Sequence, residues 1–298
     1  MNILLLGKNG QVGRELHRTL LPLGTVTALE RRDIDMEATE TLPAILEEHA
    51  PDLIVNAAAW TQVDRAESTP EAAFRVNAEA PQIIARFARD RGATLVHYST
   101  DYVFDGRKEA PYVESDDTNP LNVYGQSKRA GEQAIEASGC RFVILRTSWV
   151  FSATGANFIK TVLRLARERP TLRIVADQFG APTSAELIAD VTALAVAAHH
   201  RGEFDGGIYH LTAQGQTSWH ELASYVVRRA CELGFTLRTD VADIKPIATE
   251  EYPLPAVRPR NSLLNSDALA GRLGLDLPYW SVHVDRMLDQ LKERELQS

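Results

Sequence analysis

The stretch that decides the fold is "NILLLGKNGQVGRELH", Asn2 to His17. Its opening run of uninterrupted apolar residues reads as a buried strand, and the residues after Gly10 place apolar side chains at helical spacing. Gly7, Gly10 and Gly13 lie between and across the two. Glycines at a strand-to-helix turn allow the chain to reverse, let backbone approach a pyrophosphate, and let the helix pack closely, while its first N–H groups face the anion. The spacing is Gly-x-x-Gly-x-x-Gly rather than Gly-x-Gly-x-x-Gly, so the position in the chain carries the reading more than the letters do. Gln11 and Val12 sit inside the same turn and join the glycines as candidate cofactor contacts. Glu30 follows at the end of the next expected strand, where a carboxylate accepts from an adenosine ribose 2'-hydroxyl. Arg31 and Arg32 come directly after it and are suited to a 2'-phosphate, so the residues point to both NADH and NADPH.

Outward from this turn, short apolar runs ("TVTALE", "DLIVNAAA", "TLVHYS", "RFVILRTSWVF") alternate with amphipathic ones ("ATETLPAILEEH", "PEAAFRVNAEAPQIIARFARDRG", "NFIKTVLRLARER"). Continuously apolar strands separated by helical periodicity predict an α/β fold, a Rossmann-type doubly wound parallel sheet. The dinucleotide-binding domain is expected over residues 1–150, rejoined by parts of 172–215 because "GIYHLT" reads as one more buried strand. A smaller, discontinuous C-terminal substrate domain is expected from 151–171 and 216–298, where Pro, Thr and Gly become frequent.

The 298 residues are 44% hydrophobic and 24% charged with a formal net charge of -8, an ordinary globular balance. Basic residues are scattered among acids, which argues against a nucleic-acid surface. No apolar stretch approaches the roughly 18 residues of a membrane span, and the first residues lack a signal-type cleavage site. Cys140 and Cys231 form no Cys-x-x-Cys or zinc spacing. A cytoplasmic protein is the expectation.

In "NVYGQSKRAGE", Asn122 to Glu132, Tyr124 and Lys128 stand four apart and share one helix face. A free phenol has a pKa of about 10, and lowering it by three units takes roughly 4 kcal/mol. One ammonium about 4 Å away at an effective dielectric of about 20 supplies a similar amount. Tyr124 is therefore the candidate proton donor to a carbonyl, with Lys128 holding a nicotinamide ribose and tuning the phenol. Gly125 and Gly131 weaken the same helix by roughly 1 kcal/mol each, and close approach to a cofactor or a neighbouring subunit is the expected reason.

With the glycine turn and Thr100 at a strand end, this Tyr-x-x-x-Lys pair resembles the extended short-chain dehydrogenase/reductase family. Within it, "GKNGQVGREL", "VNAAAWTQVDRAE", "HYSTDYVFDG", "PLNVYGQSKRAGE", "RTSWVF", "DQFGAPT" and "RPRNSLLN" are similar, in order, to the dTDP-4-dehydrorhamnose reductase family. The resemblance implies NADPH- or NADH-dependent reduction, at C4, of a dTDP-4-keto-6-deoxy sugar, with Thr100, Tyr124 and Lys128 catalytic. It further implies that Asp101 joins Thr100 at the substrate, and that Tyr98 lies near the cofactor. Asp35 and Met36 would flank the adenine, Ala59, Trp60 and Thr61 would line the cofactor, and Trp149 would pack against the sugar. A homodimer serving cell-surface polysaccharide synthesis, such as O-antigen, is the accompanying expectation. Arg258 is read either as a contact to a substrate phosphate or as half of a surface ion pair.

Two positions depart from relatives. Sugar-nucleotide dehydratases place Glu directly after the Thr-Asp pair, whereas here it is Tyr102, which disfavours dehydration; and Trp60 stands where many relatives have His or Tyr. Glu15 and Glu186 are the candidates for a divalent ion such as Mg²⁺, against the plainer reading of exposed carboxylates. His97, His199, His200, His210 and His220 show no metal-ligand spacing and read as packing residues. Two rival readings stay open at this level. One is a different sugar-nucleotide ketoreductase or an epimerase; the other is a non-catalytic NADP(H)-binding regulatory subunit similar to that of methionine adenosyltransferase.

Overall fold

The apolar runs become the strands of one parallel sheet. In the computed structural model, which describes residues 1–296, the first half of the chain runs β1 (Asn2–Leu6), α1 (Gln11–Leu20), β2 (Thr25–Leu29), α2 (Leu42–His49), β3 (Leu53–Asn56), α3 (Val63–Ser68), α4 (Pro70–Phe74), α5 (Ala80–Arg91), β4 (Thr94–Thr100), α6 (Val123–Ser138) and β5 (Arg141–Thr147). The second half runs β6 (Val150–Phe151), α7 (Phe158–Glu168), β7 (Leu172–Val175), β8 (Phe179–Gly180), β9 (Thr183–Ser184), α8 (Ala185–His200), β10 (Gly207–His210), β11 (Thr217–Ser218), α9 (Trp219–Glu232), β12 (Ile244–Ile247), α10 (Asp267–Leu273) and α11 (Trp280–Leu296).

Six strands pair in the order β10-β5-β4-β3-β1-β2, all parallel. The strands are buried on both faces, and alternate residues go to opposite cores. Ile3, Leu5, Val55, Val96 and Leu145 belong to one apolar cluster with α1, α7 and α8. Leu4, Leu6, Ile54, Leu95 and Ile144 belong to the other, under α2, α5 and α6. The first cluster continues without a break into Val226 of α9 and Val284 of α11, so the C-terminal elements share the sheet's core. The strand expected from "GIYHLT" is β10, which extends the sheet beside β5. Three two-stranded pairs, β6 with β9, β7 with β12 and β8 with β11, are made by the later part of the chain.

From β1 the chain goes first to β2 on one side and then to β3 on the other. That reversal leaves a crevice beyond the carboxyl ends of β1 and β3, where open α/β sheets take their ligands.

One expected helix is divided. The periodic run from Pro70 to Arg91 contains α4 and α5 joined by a π-helical turn at Arg75–Glu79. Such a turn inserts one residue into the helical ladder and often marks a functional site. Here it aims Asn77 inward, where its amide binds both backbone groups of Trp60 and the Ser127 hydroxyl.

The expectation for the two glycines of α6 is corrected: both meet backbone of this same chain. A Cβ on Gly125 would lie 2.2 Å from the Tyr102 carbonyl oxygen, and one on Gly131 would lie 2.1 Å from the Asn77 oxygen. Each glycine lets α6 approach a backbone more closely than any side chain allows.

Candidate active site

The glycine turn forms as its residues dictate. Gly7 has φ +86, and a Cβ there would stand 2.8 Å from the Ala58 nitrogen; a Cβ on Gly13 would stand 2.1 Å from the Gly7 oxygen. Gly10 caps α1 without a side-chain hydrogen bond, so the first N–H groups of the helix remain directed at the crevice. Gly7, Gly10, Glu30, Arg31, Asp35, Met36, Ala59 and Trp60 line a cavity of about 250 Å³ there. Glu30 is bound by the Asn9 amide and by Arg32, while Arg31 pairs with Glu37 at 2.6 Å and with Asp35 at 3.7 Å. The carboxylate is thus held at the cavity, and both arginines are engaged by acids beside it.

A second cavity, of about 490 Å³, shares Gly10, Ala57 and Ala59 with the first. Gln11, Val12, Thr61, Tyr98, Thr100, Asp101, Tyr124, Lys128 and Trp149 all line it. Thr100 ends β4, and α6 begins at Val123 under an Asn122 cap whose side chain accepts from the Gly125 N–H at 2.8 Å. The cap fixes the first turn of α6, which carries Tyr124 to the cavity, and Lys128 follows one turn later. Gly13, packed against the turn, is not part of either lining.

Burial pushes the Tyr124 phenol up to about 12, with the Asp101 charge adding and the Thr100 hydroxyl opposing. Lys128 is brought down to about 8, chiefly by burial. Its ammonium nitrogen lies 2.6 Å from the Tyr98 carbonyl oxygen and 3.2 Å from His97 Nε2. This corrects the expected tuning: the lysine is spent on β4, and the phenol stays a protonated acid. Sharing a helix face sets only where the two Cβ atoms stand, and the long lysine arm reaches past the tyrosine.

Asp101 is 3% exposed and accepts from the Thr100 hydroxyl at 2.9 Å; burial lifts its carboxyl to about 6. Thr147 Oγ1 is buried with no hydrogen-bond partner among the described residues, whereas the Asp101 carboxylate is met by Ser262 and Ser99 by the Glu132 carboxylate. Buried polar atoms left unpaired are uncommon, and this one opens on the cavity that Tyr124 and Lys128 line.

Trp149 has φ +49, which is uncommon for a bulky residue and collects at functional sites. Its ring stacks on Trp219 with centroids 3.4 Å apart, and a Cβ on Gly180 would collide with it at 2.4 Å. Trp219, first residue of α9, lines the same cavity and was not singled out in the sequence. A signal was available: "TSWHE" is a capping box, Ser218 with Glu221, which pins the orientation of the tryptophan that follows the cap. Tyr102 also lines the cavity and makes an edge-to-face pair with Tyr124.

Arg258 is bidentate to Asp64 at 2.6 Å, which ties the proline-rich loop to α3; of its two readings, the structure shows the ion pair. Glu15 lies 3.5 Å from Arg18. Glu186 is bound by Arg286, Gln290 and His283, and these pull its carboxyl down to about 2. Among the described residues, no group of three or more His, Cys, Asp or Glu is placed to hold a metal. Each candidate carboxylate faces a basic side chain of this chain, Glu15 with Arg18 and Glu186 with Arg286.

Comparison with known proteins gives a consistent picture. A family model described as the RmlD substrate binding domain matches residues 1–293. A dTDP-4-dehydrorhamnose reductase of Burkholderia thailandensis is 50% identical over 94% of this chain and 95% of its own length. The crystal structure of a dTDP-4-dehydrorhamnose reductase of Clostridium acetobutylicum superposes with a TM-score of 0.89 at 32% identity, covering 98% of this chain and 100% of that one. A Bacillus anthracis dTDP-4-dehydrorhamnose reductase, solved in complex with NADP, gives a TM-score of 0.86 at 32% identity over 97% and 98% of the two chains.

Proposed function

The chain belongs to the dTDP-4-dehydrorhamnose reductase family, and from that premise we propose that it reduces the C4 keto group of dTDP-4-dehydro-6-deoxy-L-mannose with NADPH or NADH, giving dTDP-L-rhamnose. The observation that carries the reading is the convergence of Thr100, Tyr124 and Lys128 on a cavity that runs into the crevice at the glycine turn.

The residues fit a dinucleotide: Gly7 and Gly13 leave no room for a Cβ, and the uncapped start of α1 offers N–H groups to a pyrophosphate. Gly10, Gln11 and Val12 would meet that pyrophosphate. Glu30 would hold the adenosine ribose with Arg31 close by, Asp35 and Met36 the adenine, and Ala59, Trp60, Thr61, Tyr98 and Lys128 the remainder. When bound, the cofactor supplies the hydride that adds to C4. Tyr124 supplies the proton: raised to about 12, its hydroxyl is protonated at every working pH and serves as a general acid toward the carbonyl oxygen. Thr100 orients that oxygen, Asp101 orients Thr100, and Trp149 with Trp219 walls the sugar. Arg258, anchored by Asp64, keeps further guanidinium N–H donors that would be available to a substrate phosphate. The elements after residue 150, apart from α8 and β10, form the substrate side.

We further place the enzyme in the cytoplasm as a homodimer, supplying rhamnose for surface polysaccharides such as lipopolysaccharide O-antigen. Two free cysteines suit a reducing compartment, and exposed Leu194 on α8 and Val282 on α11 suit a subunit contact. No helix among the described residues is long and apolar enough to cross a membrane.

The test is oxidation of NADPH and of NADH, followed by nicotinamide absorbance, with the dTDP-4-keto sugar as substrate and with or without chelator. Turnover insensitive to chelator is expected. No oxidation with either cofactor overturns the assignment.

A further inference from the structure

His97 is wholly buried on β4, and both nitrogens of its ring face donors. Nδ1 lies 3.2 Å from the Asn56 side-chain nitrogen, and Nε2 lies 3.2 Å from the Lys128 ammonium. A neutral imidazole has one acceptor nitrogen, and an imidazolium has none. One of the two neighbours must therefore give way.

Asn56 is not free to do so. Its oxygen accepts from the Ala58 N–H at 3.1 Å, and Ala58 is the backbone on which Gly7 closes. Turning the amide over would orphan that N–H within the wall of the crevice. The Asn56 amide therefore donates to Nδ1, and the ring proton sits on Nε2. An ammonium has only donors, whereas a neutral amine has one lone pair, so the Nε2–H is satisfied only by the amine while Nζ donates to the Tyr98 carbonyl.

We propose that His97, oriented by Asn56, is a positioning residue for Lys128: it turns an N–H toward the lysine nitrogen and favours the neutral amine over the ammonium until a ligand offers the ammonium new acceptors.

Burial acts in the same direction, lowering both Lys128 and His97. The opposing group is Glu132, one turn along α6, whose charge raises Lys128. Its carboxylate is shared with Arg146 from β5 at 2.8 Å and with Arg129 at 2.9 Å. From β4 the other titratable group is Tyr98, whose hydroxyl is spent on Thr192 at 2.9 Å. Asn56, from β3, carries no charge.

The consequence for the reaction rests on the assignment of Lys128 to the cofactor. Ribose hydroxyls give an ammonium new acceptors, so cofactor binding takes up a fraction of a proton and weakens as pH rises. Two measurements decide it. In protein labelled with ¹⁵N-histidine, assigned through bonds and without cofactor, His97 should be protonated on Nε2 above about pH 8, where Lys128 passes to the amine; protonation on Nδ1 there overturns the proposal. In Asn56→Asp, a carboxylate accepts from Nδ1–H, so the ring proton should change nitrogens and the alkaline limb of NADPH binding should move up by about one pH unit. An unchanged ring, or a limb that moves without the ring, also overturns it. Failure to bind cofactor at all would instead remove the functional assignment, leaving the nitrogen result to stand by itself.

Discussion

Tyr124 works through what burial does to a phenol. With its pKa raised to about 12, it is a reservoir for one proton, and removing the hydroxyl removes the proton without changing the ring. Tyr124→Phe should lower kcat by about 10²- to 10⁴-fold with cofactor affinity nearly unchanged; full turnover would take the acid role away from this residue. Asp101 shows the opposite side of the same physics. Its carboxyl is raised from 3.8 to about 6, so the native state holds this proton more tightly than the unfolded chain. The stability it contributes is fully present below about pH 4 and is lost as pH rises to about 6, a cost of about 3 kcal/mol at neutral pH. Asp101→Asn should keep the acceptor for Thr100 and flatten the thermal stability between those two pH values. An unchanged slope would place the titration elsewhere.

At the scale of elements, α6 is placed by what it lacks. Gly131 lies against the π-helical turn at Arg75–Glu79, where a methyl group would come within 2.1 Å of backbone. Gly131→Ala must push helix and turn apart, costing about 1–3 kcal/mol as overpacking. Asn77 is on that turn and holds both backbone groups of Trp60, so the displacement should also weaken cofactor binding. Denaturant unfolding and a cofactor titration would read the two effects; a variant as stable as the parent would mean that the interface is looser than described. The division of the helix around this turn was not visible in the sequence, because "AAFRVNAEAPQII" keeps helical periodicity across it. An inserted residue is favoured only when the inward Asn finds Trp60 and Ser127, and those partners are distant in the chain.

At the scale of the whole molecule, a buried ion pair ties helix α6 to the sheet. Glu132 of α6 is fully buried, and Arg146 of β5 is 2% exposed; two hydrogen bonds of 2.8 Å join them. Removing one partner leaves the other charged and desolvated. Glu132→Ala should therefore destabilise the protein by about 3–5 kcal/mol, measured as a lowered denaturation midpoint. A loss below about 1 kcal/mol would show that the arginine finds water. The variant should also lower Lys128 further, since Glu132 is the charge that raises it.

The apolar runs and the glycine turn were enough to determine a parallel doubly wound sheet, its return strand "GIYHLT", and the crevice at the first turn. These depend on local periodicity and on backbone freedom at single residues, which a sequence displays directly. Tyr124 and Lys128 were legible as a pair on one helix face, and Thr100 joined them only through the resemblance that the surrounding motifs carry. Only the tertiary structure decided what each one does to the others. The lysine arm reaches β4 instead of the phenol, Arg258 is taken by Asp64, and Trp219 arrives from a helix about eighty residues after α6 to stack on Trp149. His97, which read as packing, stands between Asn56 and Lys128. Protonation and pairing follow from burial and from the nearest partner in space, and neither is a property of spacing along the chain.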